Sequence, residues 1–364
     1  MIVTAHPEFL EAAIGELKRL DSQFSNVSIL APGVAIGNAN GAATLMRAAA
    51  RQRPTFVRHL APVHAIISLT NTDEDIGTIA TTMAMVPSFS MLERGQRFAV
   101  QTRFVQDRDS EHSENHANHA QRPYSSGQLN QQLAEAIAEE TGAIESVKKP
   151  QIVVSILCTR ESCYLGISPV EENLSAWPGG TRHFAQTEEQ ISRAEFKLLE
   201  ALEVFGVSLP SHGVALDLGA APGGWTRLLL EAGLNVVAVD PAKLDTRLAR
   251  STRLEHYRGH AETYLEEAIK QHKKFDVIVN DMRMDARDAA RLLAQAASCL
   301  RSNDGFVLST MKLPHATAQI NPLATLHEAM NILRKSYGIV EARQLFHNRQ
   351  EVTVIAAQPL STRI

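Results

Sequence analysis

The sequence predicts an α/β fold with a mostly parallel sheet for its C-terminal half, preceded by a mixed α+β region. Three observations carry this expectation. After residue 191, short apolar runs alternate with amphipathic or Ala-rich segments, the pattern of strands joined by crossover helices. A glycine-rich turn at 219–224 stands between one such run and one such segment. A polar stretch at 171–190, EENLSAWPGGTRHFAQTEEQ, has Pro-Gly-Gly at its centre and reads as a linker between the halves.

Taken in order, the C-terminal strands are expected at Val214–Leu218, Asn235–Val239, Phe275–Asn280, Gly305–Thr310 and Glu351–Ala357. Helices are expected at Trp225–Ala232 and around 285–300 and 322–336. In the first half, Pro7–Leu20 reads as a helix, its proline tolerated in the first turn. Arg97–Phe104 reads as a strand, Gln128–Thr141 as a helix, Ile152–Cys158 as a strand and Tyr164–Ile167 as one more. The polar segment Gln106–Gly127 reads as a long loop. The 364 residues then divide into a small α+β domain (1–65), a second domain (66–170), the linker (171–190) and the α/β domain (191–364).

Composition removes several classes. Apolar residues make up 44% and charged residues 21%, a globular mixture. Three cysteines, Cys158, Cys163 and Cys299, make no disulfide framework and lack zinc-site spacing, so a reducing, cytoplasmic setting is expected. No apolar run approaches the roughly eighteen residues of a membrane span, and the N-terminus has no basic start before an apolar block. His112, His116 and His119 share a loop without cysteine that is too polar to hold a fixed geometry, so no metal is expected. The net charge of −4 argues against a non-specific nucleic-acid coat. Its distribution is uneven: residues 1–190 carry 15 Lys+Arg against 21 Asp+Glu, and residues 191–364 carry 21 against 19. Lys243, Arg247, Arg250, Arg253 and Arg258 recur against only Asp245 and Glu255, which reads either as a phosphate track or as a solvated face.

The chemistry concentrates at DLGAAPGGW, 217–225. Its glycines allow a sharp turn and close approach of backbone to a ligand. The spacing is not the dinucleotide G-x-G-x-x-G and lacks the G-K-[ST] ending of a P-loop. With Asp217 before the turn and Asp240 ending the next strand, it suits a nucleoside ligand whose ribose hydroxyls Asp240 accepts. This is the pattern used for S-adenosylmethionine. The turn after the 275–280 strand reads Asn280-Asp281-Met282-Arg283, without the paired prolines of amino-methylating enzymes. Cys299 sits in an apolar stretch and reads as core, not as the nucleophile of carbon methylation. Oxygen is left as the favoured acceptor.

Five segments together resemble the FtsJ-type 2′-O-ribose RNA methyltransferases: SRAEFKL at 192–198, DLGAAPGGW at 217–225, NDM at 280–282, MK at 311–312 and RQEV at 349–352. The resemblance implies a seven-stranded Rossmann-like sheet, S-adenosylmethionine as cofactor and a Lys-Asp-Lys-Glu tetrad at Lys197, Asp281, Lys312 and Glu351. It implies that Ala221, Pro222, Gly223 and Gly224 line the methionine end, that Trp225 begins the covering helix, and that Asp281 lies beside the sulfonium. Arg258-Gly259-His260 stand where relatives place an acid near the adenine, making His260 the expected adenine neighbour. VALDLGAAPGGWT (214–226), KLP (312–314) and ARQLFHNRQEVTV (342–354) are similar to the branch that methylates a cytidine ribose of 23S ribosomal RNA. Arg97–Phe104, Ser125-Ser126 with its following helix, and Pro150–Gly166 resemble a THUMP RNA-binding domain. RNA is therefore the implied partner, with no membrane and no obligate protein partner. A transfer RNA substrate, a non-catalytic assembly factor and a small-molecule O-methyltransferase remain as alternatives; the last leaves the first 170 residues without a role. For Lys312, burial and Lys197 lower the pKa from about 10.4, whereas Asp281 and Glu351 raise it, so the sequence leaves the direction open.

Overall fold

The computed structural model describes residues 1–105, 122–182, 184–185, 187–301, 304–317 and 320–360. The histidine loop with His112, His116 and His119 lies outside them. The chain forms two compact units, Met1–Arg182 and His183–Ile364. No helix among the described residues is long and apolar enough to cross a membrane.

The first unit holds two sheets. Strands β1 (Ile2–Thr4), β2 (Ser25–Ala31), β3 (Val34–Asn38) and β4 (His59–Ala61) form an antiparallel sheet in the order β2-β3-β1-β4. It is accompanied by α1 (Leu10–Leu20), preceded by a 3₁₀ turn at Pro7–Phe9, and by α2 (Ala42–Gln52). The second sheet uses β5 (Ala65–Ser68), β6 (Arg97–Phe104), β7 (Ile144–Glu145), β8 (Ile152–Cys158) and β9 (Ser162–Pro169) in the order β5-β9-β8-β6-β7. Helices α3 (Glu74–Met85) and α4 (Ser126–Thr141) supply its core through Ile79, Met83, Leu129, Leu133 and Ile137, packed with Phe98, Val154 and Leu165. Helix α4 starts where it does because the Ser125 hydroxyl accepts from Gln128 N while the Gln128 side chain accepts from Ser125 N. It stops at Gly142, whose left-handed conformation frees the chain to turn.

Residues 171–180, the first half of the expected linker, instead pack on this unit. Asn173 is fully buried, donating to Leu60 O at 2.9 Å and accepting from Ser168 Oγ at 2.9 Å. Gln101 Nε2 donates to Ala176 O at 2.7 Å, and Thr4 Oγ1 donates to Gly179 O at 2.8 Å. The segment looked like a linker because it is anchored by buried polar side chains rather than by apolar ones.

The second unit is an α/β layer fold. Its elements are α5 (Ala194–Phe205), β10 (Val214–Leu218), α6 (Gly224–Ala232), β11 (Asn235–Val239), β12 (Leu254–Tyr257), α7 (Ala261–Lys270), β13 (Val277–Asn280), α8 (Ala286–Ala296), β14 (Phe306–Lys312), α9 (Pro322–Arg334), β15 (Tyr337–Arg343) and β16 (Glu351–Pro359). The seven strands run in the order β12-β11-β10-β13-β14-β16-β15. The first five are parallel, and β16 inserts antiparallel between β14 and β15. The expected mostly parallel sheet is thus observed. The central strands read as apolar runs because both faces are covered: Leu216, Val277, Ile278, Val279 and Leu308 are inaccessible to solvent. Each such side chain contributes roughly 1.5–3 kcal/mol by burial. Strand β10 has β11 on one side and β13 on the other. The chain's direction across the sheet reverses there, opening a crevice at the carboxyl ends of these strands.

Candidate active site

Strand direction brings the charged residues together. Asp217 is the penultimate residue of β10, Asp240 follows β11, Asp281 follows β13 and Lys312 ends β14. All therefore lie at one rim of the sheet. Because β16 runs the other way, its first residue, Glu351, arrives at this same rim as the direct cross-strand partner of Lys312. Lys197 reaches the rim from α5.

The four side chains close a ring. Lys197 Nζ lies 2.6 Å from Glu351 Oε1 and 3.3 Å from Asp281 Oδ1. Lys312 Nζ lies 2.9 Å from Asp281 Oδ1 and also contacts Glu351 Oε2. Thr310, two residues before Lys312 on the same strand face, accepts from Lys312 Nζ at 2.9 Å and donates to Asp281 Oδ1. All three ammonium donors of Lys312 are therefore engaged. Burial opposes ionisation of Asp281, but Lys312 and Lys197 outweigh it and hold the carboxyl below its usual range. Burial likewise pushes Lys312 down, yet Asp281 and Glu351 outweigh it and raise the ammonium above its ordinary value. The direction that sequence leaves open is upward.

Two cavities meet at the ring. The first, about 610 Å³, is lined by the 219–225 turn together with Asp217, Asp240, His260, Glu262, Asp281 and Met282. The second, about 1,190 Å³, is lined by Lys197, Lys312, Glu351, Arg193, Arg349 and Phe346, among others. Ala194, Asp281, Arg283 and Met284 line both.

Residues 190–339 match the family described as FtsJ-like methyltransferase. A protein of Halorhodospira halophila named Ribosomal RNA large subunit methyltransferase M is 35% identical over 203 residues, 55% of this chain and 55% of that one. Its namesake in Histophilus somni (strain 2336) is 32% identical over 220 residues, 57% of this chain and 58% of that one. The chain spans a little over half the length of these curated relatives. Among solved structures, TrmN from Thermus thermophilus is 17% identical, covering 98% of each chain with a TM-score of 0.40.

The first cavity suits the S-adenosylmethionine expected from the sequence. Its volume falls within the roughly 300–1,000 Å³ of small-molecule sites. Gly219 and Gly223 adopt left-handed φ values of 76° and 114°. A Cβ at Gly219 would fall 2.4 Å from Met282 Cγ, and one at Gly223 would fall 2.3 Å from Leu248 Cδ1, so the cradle has room only for glycine. Ala221, Pro222, Gly224, Trp225, Asp240, His260 and Asp281 all line the cavity, whereas Gly223, expected with them, is not among its lining residues. Asp240 accepts from Ala221 N at 3.1 Å and Ala242 N at 2.8 Å, which fixes the carboxylate and leaves lone pairs for hydroxyls. Four acids line the cavity and would suit a cationic ligand: Asp217, Asp240, Glu262 and Asp281. Burial, then the Asp281 and Asp240 charges, push Asp217 up to about 7, against the opposing hydrogen bond from Thr226 Oγ1 at 2.6 Å.

The basic stripe is less uniform than its spacing suggests. Arg247 is clamped by Asp245 at 2.9 and 2.8 Å, and Arg253 donates to Leu230 O at 2.9 Å. Lys243, Arg250 and Arg258 stay exposed. Among the described residues no group of three or more His, Cys, Asp or Glu can hold a metal ion.

Sequence reading missed the residues that hold the ring in place. Glu195 is buried, accepting from Ile191 N at 2.7 Å and pairing with Arg227 of α6. Trp225 Nε1 donates to Ala194 O at 2.6 Å, tying α6 to the start of α5. Glu200, one turn beyond Lys197, is also buried and accepts from Phe346 N (2.8 Å), His347 N (3.0 Å) and His347 Nδ1 (2.6 Å). A usable signal existed: both acids interrupt the apolar stripe of a helix whose Leu198, Ala201 and Phe205 are buried.

Proposed function

We propose that this protein transfers a methyl group from S-adenosylmethionine to a ribose 2′-hydroxyl of large-subunit ribosomal RNA, at a cytidine of 23S RNA. The observation that carries the reading is the closed ring of Lys197, Asp281, Lys312 and Glu351 where a nucleoside-sized cavity meets a wider cleft. The naming of the relatives supports the ribosomal substrate. The resemblance of residues 66–170 to a THUMP domain gives the first unit an RNA-binding role.

The cofactor supplies an electrophilic methyl on a sulfonium. The protein has to hold the hydroxyl oxygen in line and tolerate the charge that develops there. Lys312 remains an ammonium at neutral pH, because two carboxylates raise its pKa. It therefore acts as a donor that orients the ribose oxygen, exchanging one of its ring contacts for the substrate. With the cofactor bound, the hydroxyl would pass its proton to a carboxylate of the ring as the oxygen–methyl bond forms and the methyl–sulfur bond breaks, leaving a neutral thioether. Asp281 keeps its charge next to the cofactor cavity. Mapping 2′-O-methylation in 23S RNA from cells with and without the gene tests this: one ribose mark is expected to disappear on deletion and return with the wild-type chain but not with Lys312→Ala. Loss of a transfer RNA mark instead would redirect the substrate, and no lost mark would refute the activity.

A further inference from the structure

Charge accounting around the wide cleft leaves a surplus of one kind. Of its lining acids, Asp281 and Glu351 are matched by Lys197 and Lys312 within the ring, and Asp285 is clamped by Arg287 at 2.9 and 3.0 Å. His347 is held by Glu200. Three guanidinium groups remain: Arg193 before α5, Arg283 after β13 and Arg349 before β16. Each is exposed, and none makes a side-chain hydrogen bond or ion pair with any described residue. Several other arginines of the unit are tied down: Arg227 to Glu195, Arg247 to Asp245, Arg287 to Asp285, Arg291 to Asp288 and Arg301 to Asp276. Arg250 and Arg258 are exposed as well, but line neither cavity.

We infer that Arg193, Arg283 and Arg349 form a phosphate-binding rim that grips the phosphodiesters on either side of the acceptor ribose. The inference rests on the proposed RNA reading and adds which residues hold the strand. Three loops reach the same cleft with an unmatched charge each, and they converge on the ring whose own four charges cancel. Guanidinium groups present a planar fork that suits phosphate oxygens, and an unpaired fork needs no internal ion pair to be broken before it binds. An uncharged nucleoside would leave all three without a partner, so the rim selects a polynucleotide over a free nucleoside. In the 243–258 stripe Arg247 and Arg253 are already engaged, and the exposed Lys243, Arg250 and Arg258 line neither cavity.

The test uses Arg193→Gln, Arg283→Gln and Arg349→Gln in the full chain, with Arg291→Gln as control. The probe is an in-vitro 23S transcript, and binding is measured across a salt series. Each rim substitution is expected to raise the RNA dissociation constant about three- to ten-fold and to reduce the log–log salt slope by roughly 0.7–0.9. KM for RNA should rise more than kcat falls, and the S-adenosylmethionine dissociation constant should stay within about two-fold. Arg291→Gln should move none of these. An unchanged slope in the three variants overturns the rim. A weakened cofactor affinity in Arg283→Gln with an intact slope assigns that residue to the cofactor and also overturns it. A wild-type chain that binds the transcript with the full slope yet never methylates it would sink the methylation reading while leaving the rim standing.

Discussion

The two cavities that share Asp281 are opposites in charge. The smaller is walled by Asp217, Asp240, Glu262 and Asp281 around a glycine turn, whereas the wider one carries the unmatched Arg193 and Arg349, with Arg283 at the boundary. On the proposed function, a cationic methyl donor and a polyanionic acceptor would be sorted by electrostatics before any specific contact forms. The ring between them is neutral as a set, so it perturbs neither preference. If this division is correct, substitutions on one side should leave binding on the other side intact.

The largest effect is expected where the sides meet. Lys312→Ala should lower methyl transfer at least about 1,000-fold while changing the cofactor dissociation constant less than about two-fold, because its contact with the reacting oxygen strengthens mainly in the transition state. Calorimetric titration with the cofactor beside single-turnover transfer checks both halves. The pH profile sharpens the assignment. Asp281 ionises below the usual range and Lys312 loses its proton above the ordinary lysine value, so these two groups keep their charges across neutral pH. An orienting ammonium predicts kcat that is flat between about pH 7 and 9. A ten-fold rise per pH unit would make Lys312 the general base instead.

Asp217 gives the next largest effect, on stability. Its folded pKa, about 7, lies above that of an unfolded aspartate, so the folded state holds an extra proton between those values. Stability from this group is complete below the unfolded pKa and is lost as pH rises through about 7. From pH 5 to pH 8 the loss should be roughly 2–3 kcal/mol. Asp217→Asn keeps an acceptor for Thr226 without the charge, so urea midpoints of the variant should fall less over that interval. Parallel pH trends in the two proteins would show that Asp217 ionises normally. On the same side of the ring, Asp240→Ala should weaken cofactor binding by about ten-fold, since buried hydroxyls would lose their acceptor, and leave RNA affinity unchanged.

How much of this was legible before folding depended on burial on both faces. Strands β10, β11 and β8 were read from largely apolar runs that the sheets bury. The edge strands β12, LEHY, and β15, YGIVEAR, were not, because one side of each is exposed and charged residues interrupt the apolar pattern. Helix α3 was hidden by its threonines, whose hydroxyls turn back to carbonyls one turn earlier, as Thr78 does to Glu74 O and Thr82 to Thr78 O. Within the site, the ring residues were legible because dispersed motifs named them. Thr310 was not, since a strand threonine carries no signal until the register puts it on the face of Lys312. The sign of the Lys312 shift also required distances, because two carboxylates at contact outweigh burial only when both are that close.

The smallest expected effect separates positioning from chemistry. Glu200 touches neither cavity's reacting centre, yet it joins the helix that carries Lys197 to the segment that leads into Glu351. Its two oxygens accept three N–H groups, and an amide offers one oxygen, so Glu200→Gln must leave at least one donor poorly matched. The fold should lose about 1–3 kcal/mol, the cost of an unsatisfied buried group. If Glu200 also sets the Lys197–Glu351 distance, kcat at saturating RNA should fall roughly three- to ten-fold at a temperature where the variant is fully folded, since sub-ångström misplacement costs rate. Cofactor affinity should not change, because the smaller cavity is built from the other end of α5. Glu200→Asp, which retains both oxygens on a shorter stem, should recover part of the rate. A variant with lowered stability but wild-type kcat would confine Glu200 to holding the loop, and the division between the two cavities would then be maintained by the ring alone.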